Sequence, residues 1–181
     1  MTTGKSESVV QNGGATLRPM TADDLAEVIA LEAELFPDDA WSPDMFADEV
    51  AQPPESRLYL IAETDGGASA GGATGEGAAI AGTVLAGYGG VMFLPGGQAD
   101  VLTIAVHKDY WGRGLGSALL GALVDAARDR GCTEMFLEVR ADNERAHGLY
   151  LRRGFTDLGI RRGYYQPSGM DAITMRKDLR R

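Results

Sequence analysis

The chain has 181 residues, 44% of them hydrophobic and 24% charged, with a formal net charge of −9. That length suits one domain with a substantial core, and the apolar share argues against disorder over most of the chain. The acidic excess argues against wrapping nucleic acid, no apolar run approaches the ~20 residues that span a bilayer, and the polar N-terminus lacks a signal peptide's apolar segment. A cytoplasmic protein with no nucleic-acid or membrane partner is expected. Cys132, the only cysteine, cannot close an internal disulfide and reads as a buried strand thiol, and His107 and His147 are too far apart in sequence to suggest a metal site.

Residues 1–15 are polar and rich in Gly, Ser and Thr without a period, so a disordered tail is expected ahead of a single domain over residues 16–181. Leu17 and Arg18, before Pro19, end a first strand. Thr21 caps a helix through Leu35, because Leu25, Val28, Ile29, Leu31 with Glu32, and Leu35 recur at helical spacing, and Pro37 with two aspartates stops it. Ser42 and Pro43 open a short second helix carrying Met45, Phe46 and Val50. Arg57 to Glu63 is a strand by its apolar run. Residues 65–79 are Gly-rich and of low complexity, a hairpin-loop insert before a strand from Ile80 to Tyr88.

Ala99 to Val106 is a strand that leads into a loop and then a helix from Gly114 to Arg130, with Leu115, Leu119, Ala122, Leu123 and Ala126 in one stripe and Gly131 as its stop. Thr133 to Arg140 alternates, so that Met135, Leu137 and Val139 share one face while Glu134, Phe136, Glu138 and Arg140 share the other. Asp142 or Asn143 caps a helix to Arg153, stopped by Gly154, and strands from Phe155 to Arg162 and Ala172 to Lys177 complete the chain. The order β-α-α-β-β-β-α-β-α-β-β implies a mixed, mostly antiparallel sheet with helices on both faces, a three-layer α/β/α fold.

The chemistry-bearing stretch is Val101 to Ser117, a strand that feeds a loop with Gly112, Gly114 and Gly116 at a helix start. Free backbone N–H groups at the positive end of a helix dipole favour a phosphate or diphosphate. The Walker loop is excluded because no Lys precedes Ser117, and the dinucleotide fingerprint GxGxxG fails by one position after Gly114. Charge agrees with an anionic ligand here. Residues 1–100 hold 3 basic and 16 acidic side chains, a balance of −13, against 14 and 10, a balance of +4, over residues 101–181. The acidic half suits a cationic substrate.

The remaining pattern, x-x-x-G-x-G over Trp111 to Gly116, resembles the diphosphate-binding motif of the Gcn5-related N-acetyltransferases, with Trp111 where Gln or Arg is usual. Asn143, Ala146, Leu149, Tyr150, Gly154 and Phe155 resemble a second signature of that family. Within it the chain most resembles the ribosomal-protein-alanine N-acetyltransferases of the RimI type, through Phe36-Pro37 with Trp41-Ser42, Leu137 to Arg140, and the run Arg161, Arg162, Gly163, Tyr164 and Tyr165. The resemblance implies acetyl-CoA as co-substrate, held by the backbone of Ile104, Ala105 and Val106 and by Gly112, Arg113, Gly114, Leu115, Gly116, Ser117 and Asn143. Because the cradle is mainly backbone, Gln in place of Trp111 is expected to preserve cofactor affinity within a few-fold.

The resemblance further implies Glu138 as the base and Tyr150 as the acid. It makes Phe36, Trp41, Tyr164 and Tyr165 an aromatic groove for the acceptor, with Asp38, Asp39 and Glu138 receiving a protein N-terminus, that of a ribosomal protein beginning with alanine. An acceptor α-amine of pKa near ~8 needs only modest help from a carboxylate at neutral pH. Two other readings stand beside this one: a relative acting on a small amine or a lysine side chain, and an acetyl-CoA-binding module without turnover.

Overall fold

The computed structural model describes residues 10–12, 14–65 and 83–180. Among them an eight-stranded sheet runs in the order β1-β2-β3-β4-β5-β6-β8-β7. Its strands are β1 (Val10–Asn12), β2 (Ala15–Pro19), β3 (Arg57–Asp65), β4 (Thr83–Leu94), β5 (Gln98–Val106), β6 (Glu134–Arg140), β7 (Thr156–Arg161) and β8 (Ala172–Asp178). Only β5 and β6 pair in parallel; the other pairs are antiparallel. Helices α1 (Leu25–Leu35) and α2 (Pro43–Val50) pack on one face, burying Val28, Leu31 and Phe46 against Tyr59, Ile61 and Tyr88. On the other face α3 (Leu115–Asp129) buries Leu120, Leu123 and Val124 against Met135, Leu137 and Val139, where α4 (Glu144–Arg152) adds Tyr150. The α/β/α layering is the expected one, and β6 alternates as read, with Met135, Leu137 and Val139 buried.

Local chemistry explains the element ends. The Ser42 hydroxyl accepts the Met45 N–H at 3.2 Å, and the Asn143 side-chain oxygen accepts the Ala146 N–H at 3.0 Å, so both helices start at satisfied caps. Thr21 works differently from a simple cap: a 3-10 turn over Ala22–Asp24 precedes α1, and the Asp24 carboxylate accepts both the Thr21 N–H and its hydroxyl, at 2.7 and 2.9 Å.

The N-terminal boundary needs correction. Val10–Asn12 pairs with Ala15–Leu17 around a turn that holds Gly14 at φ 85°, and Ala15 is only 2% exposed. A Gly-rich turn thus closes a hairpin where low apolar content suggested a tail. The rest of that tail, and the insert beyond Asp65, lie outside the described residues.

Register sets the architecture of the site. Val91 pairs with Val101 but Gly90 with Thr103, so Leu102 is an extra residue bulged out of the β4–β5 ladder. A bulge bends its strand and flips side-chain parity beyond it. Ala105 accordingly joins the core under α1 and α2, while Ile104 and Val106 face α3. The parallel pairing of β5 with β6 ends at Val101 and Leu137, and the two strands diverge from there.

One buried acid ties α1 to the sheet. Glu32, 3% exposed, accepts the Trp41 N–H at 3.0 Å on one oxygen and the Tyr88 hydroxyl on the other. Burial pushes its carboxyl above the ordinary 4.5, opposed by those two hydrogen bonds. Glu32→Ala leaves two donors without an acceptor and should cost about 2–4 kcal/mol in chemical denaturation. A carboxyl whose folded-state pKa is raised contributes stability that is complete below its unfolded value and is lost as pH rises through the raised one. Wild type should therefore lose stability relative to Glu32→Gln as pH climbs above 4.5; a gap that stays constant with pH would exclude titration at this position.

Candidate active site

The divergence of β5 from β6 opens a cleft of about 850 Å³ between β5, the start of α3 and α4. Of the residues expected to hold a cofactor, Ile104, Ala105, Val106, Gly112, Gly114, Leu115, Gly116, Ser117 and Asn143 line it. Arg113 does not; its guanidinium sits 5.1 Å from the centre of the Tyr110 ring. Past Val101 the β5 edge facing the cleft is no longer paired with β6. Gly114 takes φ 81° at the N-cap of α3, a conformation that costs a side-chain-bearing residue free energy. Its carbonyl accepts the Ala118 N–H at 2.9 Å, so the N–H groups of Leu115, Gly116 and Ser117 have no partner within the helix. A Cβ on Gly116 would lie 3.3 Å from Leu149 of α4, so this glycine permits close approach of the cleft walls. The Ser117 hydroxyl accepts from Arg153 Nε at 2.5 Å, which leaves both its O–H and the backbone N–H able to donate to a ligand.

Trp111 has a definite job. Its Nε1–H donates to the Val106 carbonyl at 2.7 Å, and the Arg145 guanidinium carbon stands 3.7 Å from the ring centroid. The indole, 46% exposed, is therefore part of the cleft rim, bonded to the end of β5 and stacked against Arg145 of α4. The expectation that Gln could replace it at little cost took no account of either contact.

Tyr150 is buried, packs edge-on to Phe155 at 5.9 Å between centroids, and lines the cleft. Burial pushes its phenol up to about 12, which keeps it protonated at neutral pH. Glu138 projects from the opposite face of β6 and is not among the residues lining the cleft. Its carboxylate accepts from Arg161 Nη1 at 3.0 Å, and its backbone carbonyl accepts from the Tyr165 hydroxyl at 3.4 Å. Tyr164 and Tyr165 stack edge to face at 5.1 Å, and the Tyr164 phenol is raised by burial and then by the Glu138 charge. Asp100 on β5, which the sequence reading passed over, is raised by burial and then by Glu138.

The acceptor-side expectations are met unevenly. Phe36 lines the main cleft and a smaller adjoining pocket of about 360 Å³, which Asp38 and Asp39 also line. Trp41 packs on Phe46 at 5.3 Å between centroids and lines neither. Asp39 is not a free acid. Its side chain is 7% exposed and paired with Arg140, which also binds Asp142 at 3.0 Å and stands 5.9 Å from the centre of the Tyr165 ring. Arg140 thus pins together the α1–α2 loop, the start of α4 and the β7–β8 loop. Lys108, Tyr110, Arg145 and Arg152 also line the cleft. Of these Arg145 carried a usable signal, since it stands within the Asn143–Ala146 segment; its contact with Trp111 depends on tertiary structure.

The sheet, the cleft at the divergence of two parallel strands and the open N-terminus of α3 agree with the acetyltransferase (GNAT) family, whose profile matches residues 25–155. The chain belongs to that family and is an acetyltransferase. The N-alpha-acetyltransferase RimI of Mycobacterium tuberculosis is 39% identical over 167 residues, covering 90% of this chain and 92% of that protein. The crystal structure of the ribosomal-protein-S18-alanine N-acetyltransferase from Escherichia coli aligns with a TM-score of 0.69 at 30% identity, over 91% of this chain and 94% of that one. The mycothiol acetyltransferase of Clavibacter michiganensis is 35% identical over 152 residues, 81% of this chain and 44% of that protein.

Gly114→Val forces a β-branched residue to φ 81° and should destabilise the protein by about 1–3 kcal/mol in urea denaturation. An unchanged midpoint would mean that the loop relaxes to another conformation.

Proposed function

We propose that this protein transfers the acetyl group of acetyl-CoA to the α-amine of a protein N-terminus, a ribosomal protein beginning with alanine, in the cytoplasm. Acetyl-CoA, when bound, supplies a thioester carbonyl carbon open to attack by an amine. The unpaired edge of β5 at Ile104 to Val106 suits the amides of its pantetheine arm in the manner of an added strand. The open N–H groups of Leu115 to Ser117 suit its diphosphate.

The acceptor nitrogen forms a C–N bond to the acetyl carbon as the C–S bond breaks. Glu138 takes the proton released by the amine, directly or through water, and Tyr150 gives its phenolic proton to the departing thiolate. What supports this reading is that Tyr150 lines the cleft, while Glu138, the first β6 residue past the last β5–β6 pair at Leu137, lies on the other face of that strand, where its backbone carbonyl accepts from Tyr165. Glu138 is held by Arg161, whose side chain is more than half exposed, so a cationic acceptor can displace it at small cost. The N-terminal acceptor is supported by the relatives that carry that activity in their names. A small-molecule amine is the second reading, supported by the likeness to mycothiol acetyltransferase.

Glu138→Gln should lower kcat by roughly 10²–10³ with cofactor affinity intact, and Tyr150→Phe by at least about tenfold. Unchanged rates in both would remove these assignments. The kcat/KM of wild type should rise with pH as the acceptor amine loses its proton. With a phenol near 12, no falling limb from Tyr150 is expected below pH 10. A peptide with a free N-terminal Ala, compared with its blocked, lysine-containing counterpart and with small amines, separates the acceptors. Turnover of the blocked peptide or of the small amines alone would overturn the N-terminal reading.

A further inference from the structure

Arg145, near the start of α4, is a cation with no carboxylate within ion-pair distance among the described residues. It nevertheless sits in a fixed place, with its guanidinium carbon 3.7 Å from the centroid of the Trp111 ring. That ring is anchored in turn by its own hydrogen bond to the Val106 carbonyl at 2.7 Å. Both residues line the main cleft together with Gly112, Gly114 and Gly116. The environment desolvates Arg145 enough to depress its pKa. A planar guanidinium stacked on an aromatic face presents its N–H fork for bidentate contact with a phosphate.

We propose that Arg145, positioned by Trp111, is the side-chain ligand of the diphosphate of the CoA donor, so that α4 closes over an anion whose other side is held by the N-terminus of α3. The arrangement gives Trp111 a role: at a position where this family usually carries Gln or Arg, the indole makes no phosphate contact itself and serves as the platform for a cation from the facing wall. Trp111 is a positioning residue here and Arg145 a binding residue. The inference rests on acetyl-CoA as the donor.

The test is calorimetric binding of CoA, 3′-dephospho-CoA and pantetheine to wild type, Arg145→Gln, Trp111→Gln and the double variant. Loss of a charge-assisted contact should weaken CoA and 3′-dephospho-CoA alike by roughly tenfold or more in Arg145→Gln, and leave pantetheine unchanged. Trp111→Gln should show the same ligand pattern, and the double variant should lose little beyond the worse single one, because the two side chains act as a unit. Arg145→Lys, which keeps the charge and gives up the planar stack, should fall between wild type and Arg145→Gln.

A loss confined to CoA would assign Arg145 to the 3′-phosphate and overturn the diphosphate contact. Equal loss for pantetheine, or strictly additive effects, would overturn the clamp in favour of general damage to the wall. Unchanged affinities in Arg145→Gln, with tight binding by wild type, would overturn this inference alone. Failure of wild type to bind either nucleotide would overturn the acetyl-CoA reading and this proposal with it.

Discussion

Everything that makes this fold an active site depends on one irregularity in a β-ladder, the extra residue Leu102 between Val101 and Thr103. A sheet that kept its register would continue pairing β5 with β6 and bury both edges. With the bulge, β5 turns away after Val101, and the edge at Ile104 to Val106 is left without a strand beside it on the β6 side. Each unpaired backbone amide is a standing demand for a hydrogen bond. An extended ligand carrying amides meets that demand, whereas a flat anion or a hydrophobic disc would not. The parity flip matters as much, because it turns Ile104 and Val106 toward α3 and Ala105 toward the opposite core.

The two walls of the opening are held by different chemistry. On the α3–α4 side the packing is apolar, with Leu149 resting near Gly116 and Tyr150 set among Leu137, Val139 and Phe155. On the α1–α2 side the fastening is polar, with Glu32 and Asp39 largely buried. Glu32 holds the Trp41 N–H and the Tyr88 hydroxyl, and Arg140 holds Asp39 and Asp142. Buried polar fastenings of this kind are costly to form and costlier to break singly, which suits a loop that must stay at one height above the sheet. The α1–α2 loop is thereby referenced to β6, the strand that carries Arg140 and Glu138.

Much of this was legible in the sequence. The period-two alternation of β6, the helical stripe of α3, and the caps at Ser42 and Asn143 are local patterns and were read from local spacing. The glycine loop stood out by its spacing before a helix and Tyr150 through the resemblance of the Asn143–Phe155 segment to a family signature, and both line the cleft. What escaped was everything set by register or by contact across the chain. Val10–Asn12 is too short to display a period. Leu102 looks like any strand residue, since a bulge leaves no mark on composition. Glu32 was read within the helical stripe, but spacing could not show the donors at Trp41 and Tyr88 that satisfy a buried carboxyl there. The partners of Trp111 lie 5 residues back, at the end of β5, and across the cleft on α4.

The charge count shows why composition is a weak guide to a binding site. The acidic N-terminal half pointed to free carboxylates waiting for a cationic acceptor, with Asp39 among them, yet Asp39 is spent on Arg140, and Glu138 is paired with Arg161. What distinguishes a binding group is the absence of an internal partner combined with a fixed position, because an exposed pair is easily exchanged and an unheld charge is already satisfied by water. Glu138 belongs to an exchangeable pair, since the side chain of its partner Arg161 is 56% exposed, whereas Asp39 is locked against a side chain that also binds Asp142. Arg145 has no carboxylate partner among the described residues and stands over the Trp111 indole at the cleft wall. The net charge of either half could have been altered by several units of solvated surface without moving these groups, so the electrostatics of the reaction belong to the register of β5 and the caps of α3 and α4.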